Sequence, residues 1–301
     1  MVIIQVTETS AELIAVKEKL KREQKKILTR RFFSNKSLMI GCLVIAIISF
    51  LATFGPLLAS YEPLKTDIPN RFQAPNSENL LGTDEFGRDV LTRILYGARV
   101  TMGVGFVVAI LTSILGMIIG LYASYYKTLD HILMRISDGL MAIPGILLAI
   151  ALVAALGSSV FNVIISLTVV FTPSIARVIR SSAVVIREQT YIEAMKAQGA
   201  SSFRIMWLHI MPNTISPLIV QASFIFADTI ITEAGLSFLG AGVPAPDPSW
   251  GNMLFDGKLA IFNAWWMTVF PGMMVVMSVL GLNLMGDGLR DYIDPHLKTK
   301  K

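Results

Sequence analysis

Apolar sequence in this chain comes in runs long enough to cross a lipid bilayer, and that limits the fold more than any other feature. Crossing the hydrocarbon core takes roughly 17–25 apolar residues. Five runs come close or qualify outright: 38–59, 101–123, 139–156, 215–239 and 265–285. A sixth, 160–175, is shorter and contains Pro173, but residues 175–179 extend it, with Arg177 and Arg180 snorkelling at one end. Lipid offers no partner to backbone N–H and C=O groups, so runs of this kind predict helices. The expected fold is all-α: a polytopic membrane protein with six transmembrane helices, kinked at Pro144 and Pro173.

Composition agrees. Of 301 residues, 53% are hydrophobic and 16% charged, against about 25% charged in a soluble domain. The net charge of +5 is no nucleic-acid signal, because the basic residues track membrane flanks. The one cysteine, Cys42, excludes an internal disulfide. No cleavable signal peptide is apparent, so the first span reads as retained, behind a basic tail helical over 11–26. With the N-terminus inside, 20 of the 26 Lys and Arg residues fall in inner segments and 6 in outer ones. The positive-inside rule then puts both termini in the cytoplasm of a multi-pass protein of the cell inner (plasma) membrane. The chain divides into a cytosolic tail (1–37), a first span with an outer segment (38–100), a five-span core (101–287) and a cytosolic C-terminal tail (288–301). A polar loop, 187–213, interrupts the core on the inner side.

Within that loop, TYIEAMKAQGASSFRIMWLHIMPN (190–213) carries helix punctuation. Thr190 and Glu193 fit a reciprocal capping box. Tyr191, Ile192 and Met195 fall on one side at helical spacing. Gly199 suits the left-handed turn that ends a helix. Ser201 caps a second short helix with an apolar side of Phe203, Met206, Trp207 and Ile210, which Pro212 interrupts. Such an element wants a protein groove or the membrane interface, unless it merely connects two spans. Glu193 reads as a capping acid, a contact residue or both, Gly199 as a turn residue, and His209 as an interfacial side chain rather than a titrating switch.

Glu193-Ala194 followed by Gly199 and Pro212 resembles the EAA loop of ABC importer permeases. Met195 and His209 depart from the general pattern, and His209-x-x-Pro212-Asn213 is similar to the peptide/nickel branch. Four more stretches resemble that branch: LGTDEFGRD (81–89), Arg177-x-x-Arg180, PSWGNML (248–254) and GDGLRDYIDP (286–295). The resemblance covers about 36–297 and is nearest to the C-type subunit of dipeptide or oligopeptide systems. It implies a type I ABC importer permease fold, in which Glu193, Ala194, Gly199, His209 and Pro212 belong to the ATPase-coupling loop. It also implies a second homologous permease, two cytosolic ABC ATPase subunits, an extracytoplasmic substrate-binding protein and surrounding membrane lipid, with no nucleic acid. Asp84, Arg88, Asp89 and Trp250 become candidates for an outer gate or docking face. Glutathione and nickel remain alternative cargoes.

Ionisable groups at membrane depth are costly and face cavities or partners. Gln221 and Asp228, seven residues apart, share a helix face. They and Glu233 either line a translocation path or make buried polar contacts. Gly116-x-x-x-Gly120 permits close helix packing. No cofactor is expected. The phosphate-loop-like stretch 251–258 has five residues between its glycines and Leu259 where Ser or Thr must hold magnesium. His131, His209 and His296 lack metal-ligand spacing, and no hydrolase motif occurs. Hydrolysis must therefore come from a partner and not from this chain. An ion-coupled secondary transporter would show inverted repeats, and none is obvious.

Overall fold

The computed structural model describes residues 32–59 and 61–293, with Leu20, Glu23, Lys26, Thr29 and Arg30 before them. Most of the expected tail helix 11–26 and the stretch 294–301 lie outside the described residues. Among those residues the fold is helical and has no strand. Its helices are α1 (Lys36–Leu58), α2 (Val90–Tyr125), α3 (Lys127–Met141), α4 (Gly145–Leu156), α5 (Val160–Arg187), α6 (Thr190–Ala197), α7 (Ser202–Phe238), α8 (Trp250–Lys258) and α9 (Trp266–Ile293). Side-chain oxygens satisfy free N–H groups where several helices begin. Asn35 accepts from Leu38 N–H at 3.1 Å and Asp89 from Thr92 N–H at 2.8 Å; Ser159 accepts from Asn162 and Ser249 from Asn252, both at 3.1 Å.

Five helices (α1, α2, α5, α7 and α9) are long and apolar enough to cross a membrane, and a bent pair brings the number to as many as six. The bent pair replaces the expected continuous span 139–156. α3 and α4 meet at 93° across a break at residues 142–144. Pro144 cannot donate a backbone N–H and disfavours a helical Ile143, so the helix stops instead of kinking. The twelve residues of α4 rise only about 18 Å. Pro173, by contrast, lies inside an unbroken α5.

Contacts fix the two ends of the bundle. Asn35 at the start of α1 donates to Gly288 O in α9 at 3.3 Å, and Arg187 at the end of α5 donates to Ser124 O near the end of α2. These termini share one end with α6. The other end holds segment 61–89, the end of α4, the end of α7, and α8. The chain thus still passes from end to end between α2 and α5, through α4.

Close approach is set by small residues. A Cβ on Gly116 would lie 2.6 Å from an Ile175 methyl, and one on Gly120 would lie 2.7 Å from Ala176 O. The expected packing role of these two glycines is therefore met by α5. The α6 end is anchored by Met117, Leu121, Ile175, Ile179, Ile192, Ile205 and Ile210, all buried together.

Candidate functional site

The stretch 190–210 is rooted in the core along one side. Ile192, Ile205 and Ile210 sit in the core, with Trp207 and Ala200 packed against it. Gly199 has φ +78°, a conformation that costs an L-residue energy. Gly199 N–H donates to Lys196 O and Ala200 N–H to Met195 O, both at 3.0 Å. That pair of bonds closes α6 and turns the chain into α7. Ser201 caps α7 by accepting from Arg204 N–H at 3.4 Å. Around the turn, Glu193, Ala194 and Gly199 are exposed. Three large apolar side chains also point outward: Tyr191 (46% exposed), Phe203 (65%) and Leu208 (63%).

Three local expectations are corrected. The capping box is absent: α6 is capped by Gln189 without a side-chain bond, so Thr190 is already helical. Glu193 N–H bonds Gln189 O at 3.3 Å, and the Glu193 side chain is left outside. Each expected apolar side is split: Tyr191 and Phe203 are exposed, whereas Ile192, Met206 and Ile210 are buried. Pro212 does not interrupt the helix. Residues Ile205–Ile210 widen into a π turn, with Met211 N–H reaching Met206 O. A wider turn accommodates a residue that has no N–H and whose ring would strike the carbonyl four residues back. His209 is half-buried in that turn, and Pro212 is exposed just after it.

Beside this stretch, α3 is strapped to α5. Arg180 forms a two-pronged ion pair with Asp130, and Arg177 pairs with Asp138 at 2.7 Å. The expected snorkelling of these arginines is replaced by pairing. Asp130 and Asp138 were not singled out from sequence; the available signal was two acids facing two arginines in neighbouring polar segments. The Arg177 pair is 50% and 59% exposed at its side chains and counts for little. Arg180→Gln should therefore speed amide exchange across 127–141 about fivefold, equivalent to about 1 kcal/mol. Arg177→Gln should leave it nearly unchanged.

Between the ends, the residues expected on a path separate. Gln221 Nε2 donates to Ser174 Oγ at 3.2 Å and lines a groove of about 600 Å³ with Ser216 and Arg290. Asp228 lies two turns further along and is exposed. Glu233 faces no opening: it is fully buried and accepts from Ser237 Oγ at 2.8 Å. Ser237 Oγ in turn accepts from Val243 N–H at 3.1 Å. For Glu233 the buried polar contact is the observed arrangement.

At the far end, the four outer candidates are buried and brace their loops. Trp250 is fully buried and donates Nε1 to Ile94 O at 3.1 Å. Asp89 caps α2. Asp84 holds its loop by accepting from Phe86 N–H and Arg88 N–H, both at 2.9 Å, and pairs with Arg88 Nε at 2.6 Å. Arg93, unremarked in the sequence, adds a contact to Asp84 at 3.5 Å and one to Asp256 at 3.5 Å. Burial pushes the Glu85 and Asp256 carboxyls above the usual carboxylate range. At Glu85 the charges of Asp256 and Asp84 act in the same direction, against Arg88 and Arg93. Among the described residues no group of His, Cys, Asp and Glu is arranged to hold a metal ion.

The profile of a family described as "Binding-protein-dependent transport system inner membrane component" matches residues 85–299, and that of the "N-terminal TM domain of oligopeptide transport permease C" matches 26–75. A putative peptide transport system permease protein of Brucella suis is 46% identical over 274 residues, covering 91% of this chain and 93% of that protein. The dipeptide transport system permease protein DppC of Alkalihalophilus pseudofirmus is 44% identical over 266 residues, covering 88% of each. The solved inward-facing MetNI methionine ABC transporter has a chain that superposes with a TM-score of 0.56 at 20% identity, over 67% of this chain and 96% of that one.

Proposed function

This chain belongs to the binding-protein-dependent transport system inner membrane components, and from that membership we propose that it forms half of the path by which an ABC importer takes up short peptides. The other half is a second, homologous permease. Two cytosolic ABC ATPase subunits supply the energy, and an extracytoplasmic binding protein delivers the peptide. Both termini and the α6 end face the cytoplasm, in keeping with the excess of basic residues on that side. The peptide cargo rests on the names of the Brucella and Alkalihalophilus relatives.

The observation that carries the coupling role is the two-sidedness of the stretch 190–210, which acts as a lever. Its inner side is rooted in the core through Ile192, Ile205 and Ile210. Its outer side presents Tyr191, Phe203 and Leu208 around the Gly199 turn, with Glu193 and Ala194 beside them. An exposed apolar patch with a polar rim fits a groove on a partner. ATPase subunits that close on ATP push this patch, and the rigid connection into α5 and α7 carries the movement to the path. Gln221 and Asp228 line that path, while Glu233 holds the outer loop to α7. Docking of the binding protein falls to the exposed rim of segment 61–80, since Asp84, Arg88, Asp89 and Trp250 are internal.

The test is reconstitution of both permeases, the ATPases and the binding protein in proteoliposomes, with hydrolysis measured against dipeptides, longer peptides, glutathione and nickel. Stimulation by peptides supports the reading. Stimulation by glutathione or nickel alone would overturn the cargo, and hydrolysis indifferent to every loaded binding protein would overturn the importer role.

A further inference from the structure

A cleft of about 510 Å³ opens at the α8 end, between the loop at 85–86, the loop 240–247 and α8. That volume lies within the rough range of 300–1,000 Å³ typical of small-ligand sites. Its chemistry is not that of a plain structural gap. Glu85, Asp247 and Asp256 line it, together with Arg88, Arg93, Phe86 and Phe255. Asp84, behind them, is fully engaged by two backbone N–H groups and two guanidinium groups.

Arg93 Nη2 engages Asp256 at 3.5 Å, while Glu85 and Asp247 have capacity to spare. Glu85 and Asp256 meet Arg88 Nη2 only at 4.0 and 3.7 Å, beyond hydrogen-bond length. Asp247 is exposed. Burial first, and then the charges of Asp256 and Asp84, push the Glu85 carboxyl up. One nitrogen of Arg93, whose other nitrogens face Asp84 and Asp256, asks for the opposite partner. Arg93 has a side chain only 3% exposed, lines the cleft, and leaves its Nη1 without a hydrogen-bond partner. A buried guanidinium N–H without an acceptor is costly. Cation-seeking carboxylates beside an acceptor-seeking guanidinium match one chemical unit: a primary ammonium next to a carbonyl.

We propose that this cleft receives the amino terminus of a short peptide. Its α-ammonium sits against Glu85 and Asp247, its first carbonyl accepts from Arg93, and its first side chain faces the lining residues Phe86 and Phe255. This rests on the reading of the chain as a peptide permease, and it adds a place in the permease where the cargo is held by its charged end.

The test uses the complete permease–ATPase complex in lipid nanodiscs without binding protein. The probes are tritiated alanyl-phenylalanine and its N-acetyl derivative. N-acetylation should weaken equilibrium binding at least tenfold. Glu85→Gln and Asp247→Asn should each weaken the free dipeptide at least tenfold while leaving the N-acetyl probe unchanged. Folding is not at risk in Glu85→Gln. A carboxyl raised by its surroundings is costly to ionise in the folded state, that cost is present at neutral pH and absent at acid pH, and glutamine removes it. The variant should therefore melt no lower than the parent. Equal binding of the two probes, or unchanged dipeptide binding in Glu85→Gln, overturns the proposal. So does weaker docking of the binding protein with dipeptide affinity unaltered, which would make the cleft a docking contact. If peptides still stimulate hydrolysis in the full system while the probes bind alike, the cleft alone is rejected. If no peptide stimulates hydrolysis, the transport reading itself is rejected.

Discussion

Gly199→Pro in the assembled transporter is expected to leave ATP hydrolysis running while peptide import falls at least tenfold. Gly199 has φ +78°, and proline is held near −65°. The substitution also removes the N–H that donates to Lys196 O. The turn between α6 and α7 then cannot close, and the exposed patch loses its fixed angle to the core. Other segments do not obstruct a side chain here, because a Cβ at Gly199 meets nothing within 4 Å beyond its chain neighbours. Gly199→Ala therefore faces only the left-handed conformation, a cost of about 1 kcal/mol, and should retain most of the coupling. Parallel measurement of phosphate release and labelled peptide uptake separates the two variants. Coupled import at the parental rate in Gly199→Pro would contradict the lever.

Gly120→Leu should cut the amount of folded protein in the membrane to less than a tenth. A Cβ there already lies 2.7 Å from Ala176 O and 2.7 Å from the Ile179 Cβ, and leucine adds three more carbons. The obstacle includes backbone, so α2 and α5 have to separate. Overpacking in ordinary cores costs about 1–3 kcal/mol, and here the displaced surface also carries Ile175 and Ile179, on which the lever is seated. Gly103→Leu on the same helix is the control: a Cβ at Gly103 meets nothing within 4 Å, and its level should match the parent. Quantitative detection in membranes, with thermal stability of what is extracted, checks both variants.

What the sequence disclosed depends on how local the physics is. Long apolar runs specify spanning helices almost alone, so α1, α2, α5, α7 and α9 were legible. So was the Gly199 turn, because few residues other than glycine accept that conformation. Features that hang on a competing interaction were not legible. Hydropathy could not tell a kink from a break at Pro144, since both halves of 139–156 are apolar. Pro212 looked like a terminus because the π turn that absorbs it leaves no mark in composition. Thr190 and Glu193 had the spacing of a capping box, but the helix is capped at Gln189, which strands the motif one residue late. The ion pairs Arg180–Asp130 and Arg93–Asp256 join residues 50 and 163 apart in sequence, a separation at which charge patterning gives no register. Asp84, Arg88, Asp89 and Trp250 stood out as a motif, yet polar residues in an outer loop look the same from sequence whether they face solvent or brace the loop from inside.

The central claim is that the exposed face of 190–209 lies against an ATPase subunit. Site-specific cross-linking tests it most directly. With Cys42→Ser removing the native thiol, single cysteines are placed at Tyr191 and Phe203 on the lever and at Phe262, exposed at the opposite end. A short thiol-to-amine cross-linker is then applied to the intact complex. Products with the ATPase from Tyr191→Cys and Phe203→Cys, and none from Phe262→Cys, are the predicted result. Products from Phe262→Cys, or none from either lever position in a complex that still hydrolyses ATP, would contradict it.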